Sequence, residues 1–257
     1  MTADLTEDRF LNGRITLWQP LRGYRAAMDP VFLAAAVPAQ AGQTVLELGC
    51  GAGAASLCLH ARVPGLVIHG VERQADYAEL ARRNAARNGA AMTVTEADLT
   101  DLPPVLRGLS VDHVIANPPY FPSGGGTAAD DPGRETALRE ETPLAQWLDT
   151  AFRRLRPGGF LTLIQAADRL PEVLAAIAAR GGSTMVLPVA ARMGRPARRV
   201  IVQCRKGAKG PFTLLAPFIL HSGDEHERDG ESLTDEARAI LRDAAPLALP
   251  PRAKFRL

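Results

Sequence analysis

The residues best suited to chemistry in this chain form the run Asn117-Pro118-Pro119-Tyr120, which directly follows an apolar segment at 114–116. The Asn117 amide oxygen and the Pro118 carbonyl are both hydrogen-bond acceptors, and the two prolines stiffen the turn that presents them. Tyr120 adds a flat ring on which a planar group can stack. The run predicts a site that holds a planar amine by its hydrogens. A proline-rich turn that merely ends a strand is the structural alternative.

A glycine-rich turn, Gly49-Cys50-Gly51-Ala52-Gly53, lies upstream behind a second apolar run at 44–48. Glycines between a strand and a helix let the backbone approach a ligand closely. Glu72 follows the next apolar run, where a carboxylate can accept hydrogen bonds from both hydroxyls of a ribose. The turn and the acid together predict a cofactor that contains a nucleoside.

Alternating strand and helix patterns from residue 44 onward predict a parallel sheet with helices on both of its faces. The predicted strands are 44–48, 66–71, 92–96, 112–116, 160–165, 184–189 and 200–204, and the predicted helices are 54–61, 75–88, 144–155 and 170–179. Before them, Asp29 as N-cap and Pro30 at the first helical position predict a helix to about Val37. A short strand at 15–20, a strand-like run at 212–221 and a helix at 232–244 complete the pattern.

Composition narrows the class of protein. The chain has 257 residues, a net charge of +2 and 46% hydrophobic residues, which suits one large α/β domain. No stretch has the roughly 18 consecutive apolar residues of a membrane helix, and the acidic N-terminus does not resemble a signal peptide. Three widely spaced cysteines predict neither a disulfide framework nor a metal site. We therefore expect a cytoplasmic protein without a metal.

The run Glu47–Gly53 has the form E-x-G-x-G-x-G, which resembles the first motif of the class I S-adenosylmethionine-dependent methyltransferases. A dinucleotide site would need a later glycine that is missing here. The resemblance implies a Rossmann-like, seven-stranded, mostly parallel sheet whose last strand is antiparallel, with S-adenosylmethionine as cofactor. It also implies that the cofactor is contacted by Glu47, Gly49, Cys50, Gly51, Gly53, Glu72 with its neighbour Arg73, Asp98 and Leu99. For Asp98, the alternative is a helix N-cap.

The run Asn117–Tyr120 in turn resembles the amino-methyltransferase signature N/D-P-P-Y/F. The resemblance implies that Asn117 and the Pro118 carbonyl orient an amine in line with the cofactor, with Pro119 stiffening the turn, Tyr120 stacking on the substrate and Phe121 forming an apolar wall. This signature serves adenine N6, cytosine N4, guanine N2 and glutamine amide methylation. It does not by itself select a substrate.

Three segments, 23–29, 117–121 and 198–207, resemble the bacterial tRNA(1)(Val) adenine-37 N6-methyltransferase family, and the likeness extends from about residue 17 to about 241. It implies that Tyr24 and Asp29 lie over the cofactor as a lid, although an ordinary helix entry is the alternative. It also implies that Arg139, beside Glu140, contacts the substrate. The chain departs from the family in an insertion at 123–134, within a long loop at 121–142 that suits a lid or a flap, and in its Ala-rich helix after Asp29.

A basic segment supports an RNA partner. Seven basic residues lie between 192 and 209 without an acidic neighbour: Arg192, Arg195, Arg198, Arg199, Arg205, Lys206 and Lys209. Such a patch binds phosphates, and we expect Arg195, Arg198 and Arg199 to contact tRNA. A solvated hairpin is the alternative.

Three hypotheses follow. The first is an adenine-N6 tRNA methyltransferase, the second a protein-glutamine methyltransferase, and the third a non-catalytic RNA-binding relative. We predict a short N-terminal extension with the cofactor lid at 1–40, the methyltransferase core at 41–210, and a strand and helix at 211–257 that complete the same domain. The oligomeric state stays open.

Overall fold

A computed structural model describes residues 4–122, 139–140, 142–223 and 232–249, with the backbone alone for 121–122 and 139–140. The strands are β1 Leu5–Phe10, β2 Ile15–Pro20, β3 Thr44–Leu48, β4 Val67–Glu72, β5 Met92–Glu96, β6 Val111–Ala116, β7 Phe121–Pro122, β8 Arg139–Glu140, β9 Leu155–Ala166, β10 Gly181–Ala190, β11 Arg199–Lys206, β12 Thr213–Leu214 and β13 Phe218–Ile219. The helices are α1 Asp29–Ala36, α2 Ala54–Arg62, α3 Ala75–Arg87, α4 Pro104–Arg107, α5 Leu144–Arg154, α6 Leu170–Ile177 and α7 Asp235–Asp243.

Five parallel strands make up one half of the central sheet, in the order β5, β4, β3, β6, β9. Helices cover both faces, so β3 is buried on both sides, and Val45, Leu46 and Leu48 are fully buried. Because all five strands run in the same direction, their carboxyl ends meet at one edge. The predicted functional residues follow these ends.

The other half of the sheet contains the antiparallel strand. β11 lies between β9 and β10 and is antiparallel to both, as expected for the last strand of the predicted core. The two-residue strands β12 and β13 add to the outer edge of β10, so within the described residues the sheet has nine strands where seven were predicted. The strand-like run at 212–221 therefore forms two short pairings rather than one continuous strand.

Several helix boundaries differ from the sequence prediction. The prediction of Asp29 as N-cap is wrong: Met28 holds the N-cap position without a side-chain cap, and Asp29 is the first helical residue. Its carboxylate instead faces other groups, described below. The C-terminal helix α7 is capped by Thr234, whose side chain accepts from the Ala237 amide.

An antiparallel hairpin, β1–β2, precedes α1 and packs on α3. Two asparagine side chains, spaced one helical turn apart on α3, form hydrogen bonds with the backbone of β2. Asn84 accepts from Trp18 N at 2.8 Å and donates to Trp18 O at 3.0 Å, and Asn88 does the same with Thr16 at 3.0 and 2.9 Å. The guanidinium groups of Arg83 and Arg87 also lie over the Trp18 ring.

One buried apolar cluster joins all three predicted segments, since it includes Leu17, Ile115 and Ile240. The domain boundaries at 40/41 and 210/211 stay predictions. Within the described residues, no helix is both long and apolar enough to cross a membrane.

Candidate active site

A cavity of about 740 Å³ opens at the carboxyl edge of the parallel strands. Its walls come from the loops that follow β3, β4, β5, β6 and β9, from the segment before α1, and from the β10–β11 hairpin. This is where open α/β sheets bind ligands.

The glycine turn forms one wall of the cavity and comes very close to a large side chain. Gly49, Gly51 and Gly53 have positive φ angles of 65°, 51° and 90°, which favour glycine. A Cβ atom on Gly49 would lie 2.5 Å from the Trp147 ring. The turn therefore brings its backbone against the cavity with no room for a side chain at Gly49. Cys50 also lines the cavity.

Glu47 lies beneath the glycine turn and is 3% exposed. Its Oε2 accepts hydrogen bonds from the Ser56 hydroxyl and, at 3.1 Å, from the Ser56 amide in the first turn of α2. Burial raises the pKa of Glu47 to about 8, although the hydrogen bonds from Ser56 oppose that shift. The carboxyl is thus held in place where it lines the cavity, and an added cation nearby would favour its ionised form.

Glu72, at the end of β4, is oriented by two backbone amides. Its Oε2 accepts from Gly51 N at 2.9 Å and its Oε1 from Gln74 N at 2.8 Å. Each oxygen keeps further lone-pair capacity. The carboxylate can therefore accept two ligand hydroxyls in a fixed orientation, beside Arg73, which also lines the cavity.

Asp98 follows β5 and lines the cavity next to Leu99. Its Oδ1 accepts from the Thr100 amide at 2.8 Å and the Thr100 hydroxyl at 2.7 Å, and these bonds hold the pKa of Asp98 below its usual value. The next helix begins only at Pro104. Asp98 therefore closes a local turn and is not a helix N-cap, and Oδ2 accepts from no described residue.

Asn117 directly follows β6, and only one end of its side-chain amide is hydrogen-bonded within the described residues. Its Nδ2 donates to the Tyr24 hydroxyl oxygen at 3.4 Å, whereas Oδ1 is shielded from solvent and has no partner among the described residues. A buried acceptor without a partner costs about 1–3 kcal/mol. The amide is thus poised to accept a hydrogen from a ligand.

The two proline carbonyls that follow are held from behind. Gln165, fully buried at the end of β9, donates to Pro118 O at 3.4 Å and to Pro119 O at 3.3 Å. Arg169 also donates to Pro119 O at 3.2 Å. Pro118 O receives only one long bond, so it retains capacity to accept from a ligand.

Tyr120 is held by two groups that the sequence patterns had not connected to it. Its hydroxyl donates to Asp29 Oδ2 at 2.5 Å, and the Arg199 guanidinium lies over its ring at 4.4 Å. Arg199 Nε donates to the same Asp29 oxygen at 3.1 Å. The arginine that we expected to bind tRNA phosphate is therefore engaged inside the cavity wall.

The segment before α1 lies against the cavity and is fastened at several points. Tyr77 donates to the Tyr24 carbonyl at 3.0 Å, and Gln19 bonds both the amide and the carbonyl of Ala26. Arg25 donates to Asp8 and Thr6 of β1, each at 2.5 Å. The segment is thus braced on the N-terminal hairpin, with Tyr24 inside the cavity and Arg25 directed to the hairpin.

Some side chains of the basic segment are bonded to the protein itself, and others are exposed without such bonds. Arg192 bonds the carbonyls of Ser222 and Gly223, Arg205 that of Gly158, and Lys206 those of Phe152 and Leu155. The exposed members whose side chains make neither a hydrogen bond nor an ion pair with a described residue are Arg195, Arg198 and Lys209. Arg198 also lines the cavity. Fewer basic side chains are therefore available to phosphates than the sequence suggests.

Some site residues escaped the sequence analysis, and two predicted ones cannot be placed. The cavity is also lined by Gln19, Tyr77, Trp147, Ala166 and Asp168, and backed by Gln165. For Gln165 and Asp168 a signal was available, since both lie at the carboxyl end of β9. The backbones of Phe121 and Arg139 pair as parallel strands. Their side chains, and most of the loop at 121–142, lie outside the described residues.

Comparison with known proteins adds a family model and several relatives. Residues 28–176 match the methyltransferase small domain. A tRNA1(Val) (adenine(37)-N6)-methyltransferase of Porphyromonas gingivalis is 31% identical over 234 residues, which cover 86% of this chain and 88% of that protein.

Two other relatives match only part of their length. A 4-amino-L-phenylalanine/4-methylamino-L-phenylalanine methyltransferase of Streptomyces pristinaespiralis is 35% identical over 53% of this chain and 48% of its own. A release factor glutamine methyltransferase of Moorella thermoacetica is 33% identical over 49% and 47%. The chain thus spans about half the length of these two relatives.

Among solved structures, a protein of Agrobacterium tumefaciens described as a predicted O-methyltransferase aligns with a TM-score of 0.69 and 29% identity, covering 86% of this chain and 99% of that one. This likeness confirms the predicted fold class.

Proposed function

The chain belongs to the methyltransferase small domain family and to the bacterial tRNA1(Val) adenine-37 N6-methyltransferase family, and we propose that it methylates the exocyclic N6 amine of an adenine in tRNA. Membership makes it an S-adenosylmethionine-dependent methyltransferase. The finer assignment to adenine in tRNA is supported by the extent of the Porphyromonas match and by the geometry around Asn117.

The described residues fit S-adenosylmethionine. The glycine turn lines the cavity with its backbone, and a Cβ atom on Gly51 would meet nothing within 4 Å, so this part of the turn is open to a ligand. Glu72 would hold the ribose hydroxyls, Asp98 the adenine amine beside Leu99, and Glu47 would lie near the methionine ammonium group. When bound, this cofactor supplies the methyl group as an electrophile on a positively charged sulfur.

Asn117 and Pro118 provide two hydrogen-bond acceptors that would make an adenine amine a better nucleophile. The lone pair of this nitrogen is delocalised into the ring, so the amine is a poor nucleophile. Asn117 Oδ1 and Pro118 O can each accept one of its hydrogens, which favours a tetrahedral nitrogen and stabilises the positive charge that develops. Both acceptors are held before the substrate arrives, Asn117 by Tyr24 and the proline carbonyl by Gln165.

The proposed mechanism requires no strong general base. Two of the carboxyl groups that line the cavity are already bound, Glu47 to Ser56 and Asp29 to Tyr120 and Arg199. Once the nitrogen carries a positive charge, its proton is acidic enough to be lost to water. The residues of the site thus orient and stabilise rather than transfer protons.

Exposed side chains near the cavity suit a nucleic acid. Arg198 lines the cavity, while Arg195 and Met193, which is 78% exposed, lie near the tip of the same hairpin. Guanidinium groups bind phosphates, and an exposed apolar side chain can contact an unstacked base. A loop of tRNA could place a splayed adenine against Tyr120.

The buried Oδ1 of Asn117, which has no partner among the described residues, carries this proposal. The test incubates unmodified total tRNA with the protein and labelled S-adenosylmethionine, followed by mass spectrometry of the nucleosides. We expect N6-methyladenosine to appear. Unlabelled tRNA together with a labelled release factor would refute the proposal.

A glutamine methyltransferase is the second candidate, because a release factor enzyme shares the catalytic core at 33% identity. That match covers only about half of either chain, whereas the tRNA-enzyme match extends through most of both. A non-catalytic relative is the third candidate. Calorimetry that detects no affinity for S-adenosylmethionine or its demethylated product would favour it.

A further inference from the structure

Three side chains from distant parts of the chain meet at one carboxylate oxygen in the cavity wall. Asp29 begins α1, Tyr120 lies four residues beyond β6, and Arg199 begins β11. The Tyr120 hydroxyl and Arg199 Nε both donate to Asp29 Oδ2, at 2.5 and 3.1 Å. Arg199 also lies over the Tyr120 ring, 4.4 Å from its centroid. One oxygen therefore holds both the edge of the ring and the cation that covers a face of it.

This arrangement removes the freedoms that a tyrosine ring on a loop would otherwise have. The hydroxyl bond fixes the tip of the ring, and a charge-assisted bond of this length is among the stronger hydrogen bonds in proteins. The guanidinium occupies one face and would lose its cation–π contact if the ring turned. Only one face remains open to a flat ligand.

The protonation of the cluster agrees with this role. Burial, followed by the negative charge of Asp29, raises the pKa of Tyr120 far above its ordinary value. The hydroxyl therefore stays a donor over the whole working pH range. Partial burial alone would lower the pKa of Arg199, but the negative charge of Asp29 outweighs it, so this pKa is raised as well.

We propose that Asp29 and Arg199 are positioning residues, which lock the Tyr120 ring so that a planar substrate can stack on one face only, with its amine directed to Asn117. The inference rests on the proposed function and specifies how the base is oriented. It assigns Asp29 and Arg199 to substrate orientation rather than to cofactor or phosphate binding.

The first test is a double-mutant cycle with Tyr120→Phe and Asp29→Asn, read as kcat/KM for tRNA. Phenylalanine keeps the ring and its contact with Arg199 but loses the hydroxyl, and asparagine loses the charged acceptor. We expect each variant to lower kcat/KM roughly tenfold. Because both remove or weaken the same bond, the kcat/KM of the double variant should be no more than about twofold below that of the less active single variant.

The second test separates positioning from general stability. Arg199→Gln should lower kcat/KM, and Arg199→Lys should recover part of the loss because it keeps a positive charge near Asp29. The matched control is Arg156→Gln, since Arg156 Nε bonds Asp112 Oδ1 at 2.6 Å where β6 begins, at the opposite edge of the sheet. This control should leave kcat/KM unchanged. Affinity for the demethylated cofactor, measured by calorimetry, should be unchanged in every variant.

A spectroscopic test does not depend on activity. The chain has three tyrosines, so the slowly exchanging hydroxyl proton of Tyr120 can be assigned by proton NMR. It should disappear in Tyr120→Phe, and in Asp29→Asn it should move upfield and exchange faster, because a neutral amide oxygen is a weaker acceptor than a carboxylate.

The outcomes distinguish the two proposals. An active wild type with silent or additive variants, a cofactor affinity that falls in Asp29→Asn, or a hydroxyl signal that is unchanged in Asp29→Asn overturns this inference alone. A wild type that does not methylate tRNA overturns the proposed function and this inference with it.

Discussion

At the scale of single residues, the site contains buried polar groups whose hydrogen bonds or charges are not fully compensated by the described residues. Asn117 has its donor bonded to Tyr24 and its acceptor free of described partners, while Glu47 is buried with an elevated pKa. Both features cost stability in the empty protein. Such costs are typical of groups whose partner arrives with the ligand.

Asn117→Ala is expected to lower kcat by about a hundredfold or more, because the lost acceptor acts mainly in the transition state. Affinity for the demethylated cofactor should change little. Single-turnover kinetics and calorimetry separate the two effects. Asn12→Ala, an exposed residue that contacts Asp243, is the control. Turnover that survives in Asn117→Ala would remove the proposed mechanism.

Glu47 predicts a pH dependence of stability. Its pKa rises from 4.5 to about 8 on folding, so its protonated form stabilises the fold fully below about pH 4.5. As pH rises toward about 8, that stabilisation is lost, with a slope of up to about 1.4 kcal/mol per pH unit. Denaturant unfolding across this range should show the fall, and Glu47→Gln should abolish it.

Ser56→Ala offers a second check on the same group. The hydroxyl of Ser56 bonds Glu47 and lowers its pKa. Removal of this bond should therefore extend the falling range to higher pH. A curve that is identical in the wild type and both variants would show that Glu47 ionises normally.

At the scale of elements, the N-terminal hairpin acts as a brace for the cofactor turn. Asn84 is fully buried and bonds both Trp18 of β2 and the Ala52 carbonyl within the glycine turn, at 2.9 Å for the latter. One amide thus links the hairpin, α3 and the turn. Asn88 bonds the same hairpin at Thr16 but does not reach the turn.

These two asparagines form a matched pair of variants. Asn84→Ala should lower the free energy of unfolding by roughly 2–4 kcal/mol, since it leaves three backbone groups without partners. It should also weaken affinity for the demethylated cofactor. Asn88→Ala should destabilise the protein with cofactor affinity unchanged. Calorimetry in which both variants bind equally well would show that the hairpin does not support the turn.

At the scale of the whole molecule, the basic segment has fewer side chains available for a partner than its sequence suggests. The net charge is only +2, and Arg192, Arg199, Arg205 and Lys206 are engaged with the protein itself. Within the basic segment, few side chains near the cavity are therefore left to contact RNA phosphates directly. Arg195 and Arg198 meet that description.

The double variant Arg195→Gln, Arg198→Gln should weaken tRNA binding and reduce the slope of log affinity against log salt by roughly 1.4–1.8. Binding measured between low and moderate salt gives the slope. A control with the same loss of charge is Arg153→Gln, Arg238→Gln, whose arginines pair with Asp149 and Asp235 on helix surfaces. Equal slopes in the two double variants would place the RNA surface elsewhere.

Much of the fold was readable from local patterns. Strand β5 was predicted with its observed bounds, and the helices α3, α5 and α6 within two residues at each end. These elements have clear periodicity and end signals, which depend on neighbouring residues only. The sequence did not predict β12 and β13 as separate strands, because a two-residue pairing depends on β10 rather than on its own sequence.

The sequence by itself determined the order of the chemistry: a glycine turn, an acid after the next strand, and Asn-Pro-Pro-Tyr after a later one. Parallel strands carry such motifs to one edge, so their proximity follows from topology. Only the tertiary structure decided which partners complete them. Asp29 resembles a helix cap in its local sequence and Arg199 resembles part of a phosphate-binding patch, yet Asp29 bonds Tyr120 across 91 residues of chain and Arg199 across 170. Contacts between such distant residues depend on how the elements pack, and no local pattern encodes them.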